Sequence, residues 1–192
     1  DMLALARRLH APGITMLPGL RFGDEGEEAA IRRASQELRW RVEAAAKYGI
    51  KLSVEGHLGS CVDTPEKLGH LVELTPGLAL TLDYTHFTAA GFPDSAVEPL
   101  LAHARHFHCR GAAPGRLQMS FAENTIDYGR VIRRMRETGY AGYFGLEYVW
   151  MDWQDCNRTE NTCETILYRD FVRATLAGEP FTPAGTSTPE TR

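Results

Sequence analysis

Short apolar runs alternate along the chain with longer stretches in which apolar residues recur every three or four positions. The runs at 51–57, 78–86, 105–110 and 143–147 each lie between a helical pattern and a loop, as buried parallel strands do. A fifth strand is predicted over 14–19. Helices are predicted between them. Residues 24–48 carry Ile31, Ala34, Leu38, Val42 and Ala45 on one face, closed by Gly49. Thr64-Pro65-Glu66 opens the next, with Thr64 as cap and Leu68, Leu71 and Val72 inward. A short helix over 95–104, another over 127–138 with Val131, Ile132 and Met135 inward, and a last one over 159–176 complete the set. The stretch 2–9 reads as the tail of a helix stopped by Pro12-Gly13, and 111–118 as a glycine-containing loop.

Strand and helix in regular alternation mean a parallel sheet built from βα units with right-handed crossovers. The strand-end residues are Gly19, Glu55, Asp83, His108 and Glu147. Four successive strands aiming such side chains at one centre require a curved sheet, so a (β/α)8 barrel is expected rather than an open doubly wound sheet. Five strands are visible, the fourth to the eighth of that barrel. Residues 1–177 are read as this partial barrel domain and the Gly-, Pro- and Thr-rich 178–192 as a disordered tail. Because the pattern opens inside a helix and begins with Asp1, a chain lacking its amino-terminal part is expected.

The composition narrows the class. With 192 residues, 24% of them charged, and a net charge of -4, the chain lacks the basic excess of a nucleic-acid binder. No apolar run approaches the roughly 20 residues of a membrane span and no signal peptide opens the chain, so a cytoplasmic protein is expected. Cys61, Cys109, Cys156 and Cys163 form no metal-binding pair and are read as small buried or half-buried thiols. Asn157-Arg158-Thr159 is a chance glycosylation match.

Glu55, Asp83, His108 and Glu147 together offer oxygen and nitrogen donors suited to one divalent cation: Mn, Mg, Co or Zn. Four protein ligands leave positions open for two neighbouring substrate oxygens. Such a cation polarises a carbonyl and stabilises the enediolate formed when a proton leaves the adjacent carbon. Glu55 and Glu147 are the candidate catalytic carboxylates. A lone acid at a strand end is most often a cap or ion-pair partner, but four in succession are not explained by capping. His86 and His57 are candidate substrate contacts, as are Arg110 and Arg116, which flank the Gly111–Gly115 loop. His106 shares a strand face with His108 and reads as its support. Trp150, Trp153 and Asn157-Arg158 are placed to wall the site.

Val54-Glu55-Gly56-His57, Leu82-Asp83-Tyr84-Thr85-His86, His106-Phe107-His108 and Gly142-Tyr143-Phe144-Gly145-Leu146-Glu147, with Thr125-Ile126-Asp127-Tyr128 before the last strand, resemble the xylose-isomerase-like TIM-barrel superfamily of sugar phosphate isomerases and epimerases. That superfamily also holds tagatose 3-epimerase-like enzymes, inosose dehydratase and endonuclease IV. The resemblance implies that Glu55, Asp83, His108 and Glu147 are metal ligands on the last four strands and that the first three strands are absent. It further implies that the two glutamates act as acid and base, with His86 on the sugar. Many relatives carry Lys-Asp shortly after the metal histidine, where this chain has Cys109-Arg110-Gly111. The further Asp-x-His pair of the endonucleases is missing, which argues against a nuclease.

The expected function is therefore a metal-dependent isomerase or epimerase of a sugar, polyol-derived or similar hydroxy-ketone substrate. The alternative is a dehydratase or lyase of the inosose dehydratase type on the same site. A barrel short of three strands exposes sheet edges, which makes homo-oligomerisation or a non-catalytic binding role a further alternative.

Overall fold

A computed structural model describes residues 2–183. Helix α1 (Met2–Arg8) precedes strand β1 (Gly13–Met16), and helix α2 (Glu27–Ala46) leads to β2 (Lys51–Glu55). Helix α3 (Pro65–Leu74) is followed by β3 (Ala79–Asp83) and α4 (Tyr84–Ala89), then by α5 (Asp94–Val97), a 3-10 turn (Glu98–His103) and β4 (Ala104–Cys109). A hairpin, β5 (Gly111–Ala113) and β6 (Arg116–Met119), separates β4 from helix α6 (Tyr128–Glu137) and β7 (Tyr143–Leu146). A second 3-10 segment (Trp153–Arg158) and helix α7 (Asn161–Ala177) follow. The main sheet is parallel with order β1-β2-β3-β4-β7, a partial TIM barrel of five strands.

Alternation along the strands divides the sheet into two faces. Leu52, Val54, Leu80, Leu82, Phe107 and Cys109 join the core with Leu38, Leu68, Leu71, Leu101, Ile132 and Met135 from the helices. The opposite face is polar: Thr15 and Thr81 share a 2.6 Å hydroxyl hydrogen bond across it, and Ser53 and His106 line the same concavity. Pairing between β3 and β4 shifts register after Leu80↔Ala104, so that Thr81 meets His106 and Asp83 meets His108. This irregularity inserts Arg105. Without it Asp83 would face Phe107, because a one-residue slip exchanges the faces of a strand.

Several sequence expectations are refined. The strand predicted over 14–19 ends at Met16, since Pro18 has no N–H to donate to a ladder and Gly19 turns to φ +96°. The carbonyl of Gly19 instead accepts from the Cys61 N–H at 3.0 Å. Residues 111–118, read as a loop, form most of the β5–β6 hairpin, with Gly115 at φ +75° in its turn. A Cβ on Gly111 would lie 2.4 Å from the Met119 carbonyl oxygen, so only glycine permits this strand contact. The helix over 95–104 is a short α-helix continued by a 3-10 turn holding Pro99. The 78–86 run read as a strand turns into helix α4 directly after Asp83, whose side chain caps it by accepting from Thr85 N–H. Thr64 caps α3 as expected, accepting from Lys67 N–H, and Asp127 caps α6, accepting from Arg130 N–H. No helix among the described residues is long and apolar enough to cross a membrane. The tail expected to be disordered lies outside the described residues from 184 onward, while Phe181 packs on Phe121 and Phe171.

Candidate metal centre

Glu55 and Asp83 are the last residues of β2 and β3, His108 is the second to last of β4, and Glu147 directly follows β7. Each lies on the polar face because its neighbours, Val54, Leu82 and Phe107 among them, are drawn into the core. One ligand atom from each of the four comes within 4.8 Å of all the others. The Nδ1 of His108 lies 2.9 Å from Glu55 Oε1 and 3.4 Å from Glu147 Oε2. Burial is graded: the Asp83 side chain is fully enclosed at 0% exposure and Glu147 is 32% exposed, so the centre opens on the Glu147 side.

The electrostatics follow from crowding three carboxylates in a poorly hydrated recess. Burial raises the pKa of Glu55, against the hydrogen bond from His108. Burial opposes the charged form of Asp83 too, but Arg110, His86 and the Thr85 hydrogen bond outweigh it and hold its pKa below the usual carboxylate range. For His108, burial disfavours the imidazolium, yet Glu147 and Glu55 reverse this and bring its pKa up to about 10. His86 goes the other way, down to about 4, because burial dominates. Its Nδ1 faces the Leu58 N–H at 3.3 Å, and Arg110 Nη2 lies 3.5 Å from its Nε2. That nitrogen lies 3.7 Å from Asp83 Oδ2 and 4.0 Å from Glu55 Oε1.

The remaining candidates occupy different places. His57 lies beyond the end of β2, its ring centroid 4.0 Å from that of His86 and 5.2 Å from Trp153, with which it stacks. His106 packs edge-on to His108 at 5.1 Å, and Gly145 on β7 makes room for both rings: a Cβ there would lie 3.0 Å from His106 Nε2. Arg116 is exposed at the start of β6, in the hairpin, without a hydrogen bond or ion pair to the cluster among the described residues. Arg110 is buried, with its guanidinium turned onto Asp83 and Glu147. Trp150 is 71% exposed.

Two participants went unrecognised in the sequence. Thr85 donates both its N–H (2.8 Å) and its hydroxyl (2.6 Å) to Asp83 Oδ1, the former as the first-turn cap of α4. The side-chain amide of Gln118 clamps the segment after Glu147, donating to Val149 O and Cys156 O while accepting from Val149 N–H. The spacing Asp83-x-Thr85 was a legible signal for the first. Gln118 gave none.

A cavity of about 650 Å³ lies elsewhere, along the strand starts Gly13, Lys51 and Tyr143. Its lining carries no carboxylate. Barrel chemistry belongs to the carboxyl ends of the strands, where the four donors meet.

The model of a family described as xylose isomerase-like TIM barrel matches residues 1–168. No curated protein matches the sequence. Among solved structures, a D-tagatose 3-epimerase-like protein superposes with a TM-score of 0.69 at 20% identity, covering 92% of this chain and 66% of that one. A xylose isomerase-like TIM barrel protein from Mycobacterium smegmatis, in complex with magnesium, gives 0.69 at 17% identity, covering 92% and 65%. A probable 3-DHS dehydratase from Bacillus anthracis gives 0.67 at 17% identity, covering 88% and 67%. The chain thus spans about two thirds of the length of these structures.

Proposed function

Because the chain belongs to the xylose isomerase-like TIM barrel family, we propose that it is a divalent-cation-dependent isomerase or epimerase of a small sugar-like hydroxy-ketone, working by proton transfer through an enediolate. The observation that carries this reading is the convergence of Glu55, Asp83, His108 and Glu147 within 4.8 Å. Three carboxylates and an imidazole, with no thiolate among them, fit a hard or borderline dication such as Mn, Mg, Co or Zn. These four residues would hold it. When bound, the cation supplies polarisation of the substrate carbonyl and offsets the negative charge of the enediolate.

The chain's own residues do the rest. Glu55 and Glu147 both approach His108 Nδ1, at 2.9 and 3.4 Å, and are the pair that removes a proton from carbon and returns it. Glu147, at the open side, meets the substrate first, whereas Glu55 works from the enclosed side. His86 stays neutral throughout the physiological range and is placed beside the cluster to meet a substrate oxygen. His57 and Trp153 cover His86 from outside and limit the entry of water.

Burial, which raises the pKa of Glu55, also favours a second reading, a dehydratase in which Glu147 takes the carbon proton and protonated Glu55 gives its proton to the departing hydroxyl, which leaves as water. Ketoses and inososes incubated with the protein and Mn²⁺ in D2O distinguish the two. Isomerase or epimerase action gives deuterium at the carbon beside the carbonyl by NMR, lowered at least about 100-fold by Glu147→Gln. Dehydratase action gives an unsaturated ketone. Exchange in neither class, or exchange unchanged in Glu147→Gln, overturns the proposal.

A further inference from the structure

Arg110 lies two residues after His108, on the same face, and its guanidinium spans two neighbouring parts of the cluster. The Nη2 group lies 3.1 Å from Asp83 Oδ2 and 3.4 Å from Glu147 Oε2. The Nε–H donates to the Thr85 hydroxyl at 3.2 Å, which in turn donates to Asp83 Oδ1 at 2.6 Å. The Nη1 group donates to the Glu147 carbonyl oxygen at 3.2 Å. The backbone of Arg110 is itself anchored, its carbonyl accepting from the Tyr128 hydroxyl at 2.7 Å. Its side chain is only 4% exposed, so these contacts leave it little freedom to meet a substrate.

We propose that Arg110 is a positioning residue of the cation site, one that sets the orientation of Asp83 and Glu147 on the two strands flanking β4. Asp83 receives donors on both oxygens, from Thr85 on Oδ1 and from Arg110 on Oδ2, which fixes its carboxylate plane. Glu147 is held at both its backbone and its carboxylate by the same guanidinium. The fork matters as well as the charge. A lysine ammonium is a single point with three donors, and it cannot reach Thr85 Oγ1, Asp83 Oδ2 and the Glu147 carbonyl together. Partners outside the ligand set that orient the ligands typically govern 10–100-fold in affinity for the metal. Arg110 also offsets one of three crowded carboxylates, so the set remains compact before a cation enters.

This assignment rests on the cation-binding reading of the cluster, and the test separates the two. Co²⁺ is titrated into the purified parent, Arg110→Lys, Thr85→Val, Thr85→Ser and the Arg110→Lys/Thr85→Val double variant, following both affinity and the visible absorption of the bound ion. Arg110→Lys is expected to bind at least about 10-fold more weakly and with an altered spectrum, although it keeps the charge. Thr85→Val weakens binding similarly, Thr85→Ser restores it, and the double variant loses less than the two single losses combined, because both act through one relay to Asp83. Parent-like affinity and spectrum in Arg110→Lys overturn the positioning role while leaving the cation site intact. No Co²⁺ binding by the parent removes the site and the role of Arg110 with it. Circular dichroism of each variant confirms that a loss is not unfolding.

Discussion

At the scale of single residues, the centre depends on ionisable groups whose neighbours push them in opposite directions. His86 is buried to 2% exposure and held neutral, with a pKa of about 4, whereas an unfolded histidine titrates near 6.5. The unfolded chain therefore binds a proton that the folded chain refuses between these values. The stability associated with His86 is full above about pH 6.5 and is lost as pH falls toward 4, by up to about 3 kcal/mol. His108 is pushed up to about 10, so its stabilisation is already complete below pH 6.5 and flat across this window. Urea midpoints in EDTA at pH 7 and pH 4.5 test this: His86→Gln is expected to show a smaller acid loss than the parent. An equal loss would mean that His86 is not the group responsible.

At the scale of elements, the segment after β7 shows how a local conformation is held from a distance. Gln154 and Asp155 adopt φ of 57° and 55°, the left-handed region, at a cost of about 1 kcal/mol each for residues with a Cβ. The segment keeps this shape because Gln118, 1% exposed on β6, ties Val149 to Cys156. The result stacks Trp153 on His57 at the mouth of the centre. Gln154→Gly is expected to raise the thermal midpoint by a few degrees, since glycine adopts this conformation without the Cβ clash. Gln118→Ala is expected to lower stability by about 2 kcal/mol, by leaving buried carbonyls without donors, and to change the Trp153 fluorescence. Recording that emission in a Trp40→Phe/Trp150→Phe background isolates it. An unchanged spectrum in Gln118→Ala would show that the clamp does not hold Trp153.

At the scale of the whole molecule, the partial barrel presents an apolar face to its helices and a polar concave face to a broad cavity. The four donor groups come from the ends of four strands, so a bound ion would tie together segments nearly a hundred residues apart in sequence. Folding and cation binding are then linked. At about 100 times its dissociation constant, Mn²⁺ should stabilise the protein by about 2.7 kcal/mol relative to EDTA. A rise in thermal midpoint that disappears in His108→Ala is the expected result. An equal rise in that variant would place the effect away from the cluster.

The alternation of apolar runs with amphipathic stretches determined the order of the five main-sheet strands and the longer helices between them, because period-two and helical patterns are local properties of the chain. The position of Glu55, Asp83 and His108 near strand ends followed from the same reading, as did the cap at Thr64. The sequence also held the signal for Arg110, which the period-two rule places on the face of His106 and His108. What it could not show was the register shift at Arg105, which depends on how β4 meets β3 and alone brings His108 opposite Asp83. Nor could it show the inward turn of the Arg110 guanidinium or the clamp from Gln118 to a segment some 30 residues away. Only the tertiary structure decided these. Each is a pairing between distant segments, and its free energy comes from satisfying buried charges and backbone groups that exist as neighbours only once the sheet has formed.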